Sequence, residues 1–415
     1  MKKLNQEIID AYELLLDIDS VKKGLEYIER TQEDTLEEQI RLTEIPAPTF
    51  HEEVRGEYFQ NKFLELGLQD VKRDRVGNII GLRPGKSDGP TLVVSAHLDT
   101  VFPEGTEIKV SKKNGKVYAP GISDDGRGLA ALLTLINTMQ KLEFETIGDL
   151  LFVATVGEEG LGDLRGVKGL FEDREDLDGF ISIEPGSPSR IIYLATGSRR
   201  YRVTYKGTGG HSFGDFGTPS AIHALGRAVS LISDLQVPAE PKTTFNIGKI
   251  SGGTSVNTIA QESTMIIDIR STEPDSLLKI ESKILEALNE AVYAENNRWG
   301  KEVIEIDIEL VGDRPAGSQP DDSTIVQVSL ASTKAIGQPP ELLGPISTDS
   351  NVPISLGIPA VTLGGGGEYG GVHTLEEWFD PTNAHLGVQQ ILLTILGLVG
   401  VNHVTRPLLD KISRT

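Results

Sequence analysis

The sequence predicts an α/β protein in two parts: a larger domain built on a central, mostly parallel sheet flanked by helices, and a smaller α+β module inserted into it. Three observations predict this. Residues 92–96, 150–156, 180–183 and 359–363 are near-continuous apolar runs, the pattern of strands covered on both faces. Between about Ser198 and Leu310 the texture changes to strands of alternating apolar and polar residues, the pattern of a sheet with one covered face. At 415 residues the chain is also too long for a single core. The expected division is 1–197 and 314–415 for the larger domain and 198–313 for the insert.

Taken in order, the chain opens on helices. Thr49 and Glu52 have the spacing of a capping box, and Val54, Tyr58, Phe59, Phe63 and Leu64 then recur at helical intervals until Gly67. A strand is expected at 92–96, a helix at 128–139, and strands at 150–156 and 180–183. In the insert, 201–205, 263–269 and 304–310 read as strands. The last has Ile304, Ile306, Ile308 and Leu310 on one face and Glu305, Asp307 and Glu309 on the other. Helices at 220–235 and 276–299 lie between them, and two helices on one face of an antiparallel sheet make a compact α+β unit. The doubly covered pattern returns at 359–363. The apolar stretch 391–401 is too short for the ~20 residues of a membrane span and reads as a buried C-terminal helix.

Composition narrows the functional classes. The formal net charge of -21 argues against nucleic acid and anionic membrane as partners. The start, MKKLNQEIIDAYELLL, has no apolar run of the ~7–15 residues that a signal peptide needs, so a cytoplasmic location is expected. There is no cysteine, which leaves imidazole and carboxylate as the available metal ligands.

Such ligands occur in five short segments: His97-Leu98-Asp99, Asp124-Asp125-Gly126, Glu158-Glu159-Gly160, Glu184-Pro185-Gly186 and His373-Thr374. Each is expected where a buried strand runs out, and in open α/β sheets ligands bind beyond the carboxyl ends of the strands. Any one of them has an ordinary explanation, such as an N-cap for Asp124-Asp125. Together they supply two histidines and enough carboxylates for a two-metal hydrolytic centre. Gly365-Gly366-Gly367-Glu368-Tyr369-Gly370 satisfies G-x-G-x-x-G, but the chain runs on to His373 with no helix, so a dinucleotide site is not expected.

The segments SAHLDTV (95–101), GISDDGRG (121–128), TVGEEG (155–160), SIEPG (182–186), GTGGHS (207–212), GGTSVNTIA (252–260), STDSN (347–351) and GGVHTLEE (370–377) resemble, in order, those of the two-zinc exopeptidases and deacylases. That family includes peptidase T, glutamate carboxypeptidase, acetylornithine deacetylase and succinyl-diaminopimelate desuccinylase. The resemblance implies a zinc-exopeptidase catalytic domain with an inserted ferredoxin-like lid that forms a homodimer. It implies two divalent cations, zinc foremost, with cobalt or manganese as alternatives. Asp124 would bridge both cations, with a cis Asp124–Asp125 peptide bond. His97 and Glu184 would complete one site, and Glu159 and His373 the other. A bridging carboxylate allows a water between the cations to be acidified towards hydroxide, with Glu158 as general base. Asp99 would accept the free ring N–H of His97. His211 and Asn257 would stabilise the oxyanion, and Arg314 would clamp a substrate carboxylate through its planar fork.

The implied substrate is a short peptide or an acyl-amino acid, cleaved at a terminal amide, with Ile183-Glu184-Pro185 and Arg314-Pro315-Ala316 fitting the peptidase T and glutamate carboxypeptidase branch. An N-acyl-amino-acid deacylase is the alternative. A non-catalytic metal- or peptide-binding relative would be expected to have lost Glu158, Asp99 or the ligands, and all are present. One departure stands out. Gly126-Arg127-Gly128 follows Asp125 where the family usually has a lysine, and Arg127 would have to restore that charge.

Overall fold

The computed structural model describes residues 4–412. Its contacts divide the chain into two compact units, one running to Ala195 and resuming at Ser318, the other Thr196–Gly317. The second junction falls after residue 317 rather than 313. Arg314 is still paired with Ser198 at the end of the strand Glu305–Arg314, which ties it to the inserted module.

The first unit is built on an eight-stranded sheet. Its order is Gln69–Arg73, Ile79–Arg83, Asp149–Thr155, Thr91–His97, Gly179–Glu184, Ala360–Gly364, Arg190–Ile192 and Glu341–Leu343. The four strands in the middle run parallel. They are the four apolar runs of the sequence, and they are buried on both faces because helices cover both. One face packs Phe152, Val94 and Ile181 against the helices Gly126–Lys141 and His385–Val399, with Phe59 and Phe63 in the same cluster. The other face packs Val93, Leu151 and Phe180 with Val167 and Leu170 of the helix Arg165–Asp173. A small antiparallel sheet of Ser111–Lys113, Lys116–Tyr118, Trp378–Asp380 and Glu368–Gly370 completes the unit. No helix among the described residues is long and apolar enough to cross a membrane.

The second unit follows the order strand, helix, strand, strand, helix, strand. Gly197–Lys206, Thr243–Gly252, Glu262–Ser271 and Glu305–Arg314 form one antiparallel sheet, with Glu262–Ser271 and Gly197–Lys206 at its centre. The helices Ala221–Ser233 and Pro274–Trp299 lie on one face, over Val203, Tyr205, Met265 and Ile267. That is the ferredoxin-like arrangement. The second helix starts two residues earlier than expected, because Pro274 suits a first helical turn whose N–H groups lack partners anyway.

Two local expectations fail. Thr49 and Glu52 do not form a capping box: the helix Glu53–Glu65 starts without a side-chain cap. The Thr49 hydroxyl donates instead to Asp99 Oδ2 at 2.9 Å, and Glu52 accepts the Phe50 and Gly157 amides, both at 3.1 Å. Tertiary partners have displaced the local ones. Leu310 keeps the face of Ile306 and Ile308, opposite Tyr201, but is left exposed rather than covered; a bulge follows it before Gly312.

The helix Glu53–Glu65 also carries Arg55, which is fully buried. Its guanidinium donates to Ile45 O at 2.6 and 2.9 Å and to Leu98 O at 2.7 Å, the carbonyl between His97 and Asp99. Burial pulls its pKa down to about 10, opposed by the charges of Asp99 and Asp125. Arg55→Met should therefore leave buried carbonyls and carboxylates uncompensated and destabilise the fold by about 3–5 kcal/mol. A denaturant midpoint unchanged from wild type would contradict this.

Candidate metal centre

Three adjacent parallel strands bring their carboxyl ends to one edge. His97 is the last residue of Thr91–His97 and Glu184 the last of Gly179–Glu184. Thr155, paired with His97, ends the strand that leads into Glu158 and Glu159. Asp124 and His373 do not arrive in that way, contrary to the expectation that every segment follows a buried strand. Asp124 lies in the turn before the helix Gly126–Lys141, and His373 in a loop after Glu368–Gly370 of the small sheet, with a φ of 65°.

The five residues nevertheless converge. His97 Nε2 is 3.0 Å from Asp124 Oδ1 and 4.0 Å from Glu184 Oε2. His373 Nε2 is 3.3 Å from Asp124 Oδ2 and 3.0 Å from Glu159 Oε1. Two donor groups, His97–Asp124–Glu184 and Asp124–Glu159–His373, therefore share Asp124, one through each carboxylate oxygen, with donor atoms of each group within 4.8 Å of one another. A third combination, His97–Glu158–Glu159, meets the same distance condition. It is the weaker choice, since His97 Nε2 already faces Asp124. An all-oxygen and imidazole donor set of this kind suits zinc, cobalt or manganese.

The clustered donors shift one another's affinity for protons. Burial works against a charge on His97, but Asp124 and its neighbours outweigh it and hold His97 well above the usual histidine range. Asp124 and Glu159 raise His373 to about 10. Burial alone would raise Asp124, yet the two imidazoles hold it well below the carboxylate range. Burial, with the charges of Glu158 and Asp124, pushes Glu159 up to about 7, and burial likewise lifts Glu184 well above its ordinary value. A cluster of acids obliged to hold protons is one that a cation would relieve.

The surrounding shell differs from expectation at Asp99. His97 Nδ1 donates to the backbone carbonyl of Asp99 at 2.9 Å, while the Asp99 carboxylate is 3.7 Å away, too far for a hydrogen bond. The carboxylate accepts the Glu158 amide at 2.9 Å, the Glu159 amide at 3.0 Å and the Thr49 hydroxyl. The two-residue spacing brings Asp99 to the right place, but its side chain clamps the Glu158–Glu159 loop rather than the imidazole.

Two further carboxylates, Glu377 and Asp349, escaped the sequence reading, and a third, Asp125, takes the capping role expected of the Asp124-Asp125 pair. Glu377 accepts the amides of Gly121, Ser123 and Asp124 at 2.8–3.0 Å and so fixes the turn that presents Asp124. Its place four residues after His373, inside GGVHTLEE, was the available signal. Asp125 accepts the His97 amide at 3.1 Å and the Gly128 amide at 2.9 Å, capping the helix while its neighbour faces the imidazoles. Gly128 is required there, because a Cβ would sit 2.2 Å from the Asp125 carboxylate. Asp349, within STDSN, is buried and accepts the Thr155 hydroxyl at 2.6 Å; burial and the charge of Glu158 push it up to about 7. The peptide bond between Asp124 and Asp125 is cis. Arg127 is spent elsewhere: it donates to Gly365 O and Ala384 O, both at 2.7 Å, and lies over the Phe379 ring.

His211, Asn257 and Arg314 belong to the second unit. There His211 and Asn257 are neighbours, through the Ser212 amide donating to Asn257 O at 3.0 Å. His211 is exposed, and its Nδ1 accepts the Phe213 and Gly214 amides at 3.2 Å, which leaves the ring proton on Nε2. Arg314 is only 5% exposed.

Residues 93–396 match the profile of Peptidase family M20/M25/M40. An uncharacterised protein of Bacillus subtilis, YqjE, is 30% identical over 359 residues, covering 82% of this chain and 92% of that protein. A succinyl-diaminopimelate desuccinylase of Nitrosospira multiformis is 25% identical over 271 residues, or 60% of this chain and 71% of the enzyme. Among solved structures, a tripeptidase of Staphylococcus aureus superposes with a TM-score of 0.73 at 25% identity, covering 88% of this chain and 97% of that one.

The proton inventory predicts how cation binding depends on pH. A ligating imidazole must be neutral and a ligating carboxylate ionised, whereas Asp124 and Glu159 raise His373 to about 10 and burial raises Glu159 to about 7. Apparent zinc affinity should therefore be higher at pH 8 than at pH 6, with protons released on binding. Calorimetry in buffers of different ionisation enthalpy measures both; pH-independent binding without proton release would contradict the assigned ligands.

Proposed function

The chain belongs to Peptidase family M20/M25/M40, and from that premise we propose that this enzyme is a dinuclear metal-dependent exopeptidase cleaving a terminal amide bond of short peptides. The observation that carries the reading is the carboxylate of Asp124 facing two imidazoles, one from each donor group, beside the buried Glu158. His97 and Glu184 would hold one cation, Glu159 and His373 the other, and Asp124 both. When bound, the pair of cations supplies Lewis acidity and lowers the pKa of water.

The chain's own groups account for the rest. Glu158 takes a proton from the attacking water on a carboxylate oxygen and returns it to the leaving nitrogen as the C–N bond breaks. Asp99 positions Glu158 and Glu159 through their amides, so that the base and the ligand next to it keep separate roles. Across the homodimer, His211, with its proton on Nε2, would serve the active site of the second copy as a donor for the oxyanion, assisted by Asn257. Arg314 pairs with a substrate carboxylate. The exposed Phe213, Phe216, Ile250 and Val256 of the second unit support a homodimer formed through that unit.

A second reading, hydrolysis of an N-acyl-amino acid, draws on the similarity to the desuccinylase, whereas the tripeptidase favours peptides. A panel of tripeptides, C-terminal glutamyl dipeptides and N-acetyl amino acids, assayed with zinc, cobalt or manganese, separates the two; no metal-dependent turnover on any member would count against both. Glu158→Gln should lower kcat by at least about a thousandfold while the content of two metals is unchanged. His211→Ala should lower kcat about a hundredfold, again with both metals retained. Metal lost in either variant would mean the role is misassigned.

A further inference from the structure

Three of the large apolar side chains exposed on the first unit stand on the segments that carry or brace the metal ligands: Phe50 (52% exposed), Leu161 (49%) and Leu375 (64%). Leu161 lies two residues beyond Glu159 and Leu375 two beyond His373. Because Glu159 Oε1 and His373 Nε2 are 3.0 Å apart, both leucines stand on segments that meet at the same ligand pair.

Phe50 joins these segments by packing rather than by sequence. The segment 49–52 lies on the loop 157–162: a Cβ on Gly162 would meet Thr49 Cγ2 at 2.6 Å, and the Gly157 amide donates to Glu52 Oε1 at 3.1 Å. Phe50 has a φ of 75°, a conformation costly for a bulky residue and found where surrounding contacts enforce it, often at functional sites. The enforcing contacts are present. Glu52 accepts the Phe50 amide at 3.1 Å, and the Arg165 guanidinium lies 5.2 Å over the ring while donating to Glu52 Oε2 at 2.6 Å. An exposed aromatic ring is thus fixed in place without a core to receive it. The charge of Arg165 is taken up by Glu52, so this turn offers apolar surface rather than an anion site.

We propose that Phe50, Leu161 and Leu375 form an acceptor for one apolar or aromatic side chain of the peptide, next to the bond that is cut. The assignment rests on the hydrolytic reading above. The occupant follows from continuity: the three side chains stand on the segments that carry Glu159 and His373 and on the one packed against them, so a peptide engaged there lies across those segments.

The test uses the zinc-loaded full-length enzyme and short peptides varied at one residue at a time through Gly, Ala, Leu and Phe. Wild type should prefer Leu and Phe over Gly at one position by about 10–200-fold in kcat/KM, the discrimination typical of an apolar pocket. Phe50→Ala and Leu161→Ala should each reduce that preference by about 5–20-fold, and Phe50→Leu should restore most of it. Binding of the same series to the Glu158→Gln holoenzyme gives the preference without turnover. An equal fall for all four peptides would show a merely structural role and overturn the proposal, as would an unchanged preference. Dissociation of an oligomer in sedimentation, with the preference intact, would assign the patch to a second copy instead. Preference in binding without any wild-type turnover would sink the hydrolytic reading alone; turnover without preference would sink this one alone.

Discussion

The constraint that shapes the first unit is the burial of many like charges at one edge of a sheet. Asp99, Asp125, Glu158, Glu159 and Glu184 are all nearly inaccessible, and Asp124 lies among them between two imidazoles. Isolated carboxylates in such surroundings would cost several kcal/mol each. The protein answers in three ways. Asp99 and Asp125 receive backbone amides, as does Glu377 just outside the cluster. Arg55 adds a buried positive charge from behind. Of the rest, Asp124, Glu159 and Glu184 face the histidines, and there proton or cation must supply the balance.

This division separates structural carboxylates from chemical ones more sharply than residue type can. Asp124 and Asp125 are adjacent, yet one caps a helix and the other faces both imidazoles. Glu158 and Glu159 are adjacent too, and their amides are bound by the two oxygens of a single Asp99. Each pair gains its asymmetry from the backbone it sits on: a helix N-terminus for the first, a clamped loop for the second.

That also explains what the sequence made legible. The four buried strands were visible as apolar runs, because a strand covered on both faces has no polar positions to hide it. Three strands of the ferredoxin-like unit were visible in their alternation, with its two helices, but the edge strand Thr243–Gly252 was not. Motif resemblance, rather than strand position, was what linked Asp124 and His373 to the others, since neither follows a strand of the central sheet. Contacts between distant segments were not legible at all. Thr49 and Glu52 satisfy a local capping rule but bond to Asp99 and Gly157 instead, and Arg127 leaves the cluster for two backbone carbonyls. Such choices depend on which groups the fold brings near, and no local window contains that information.

The segment 49–52 shows how far this interdependence runs. Its Thr49 binds the oxygen of Asp99 that also holds the Glu159 amide, and its Glu52 binds the amide of Gly157 on the same loop. Between them stands Phe50, with its ring exposed and its backbone in the left-handed region. A single four-residue turn therefore fixes the loop carrying Glu158 and Glu159 and orients an apolar side chain beside it. On the proposed roles, substrate contact at Phe50 and the geometry of Glu158 and Glu159 are coupled, because they share the same hydrogen bonds.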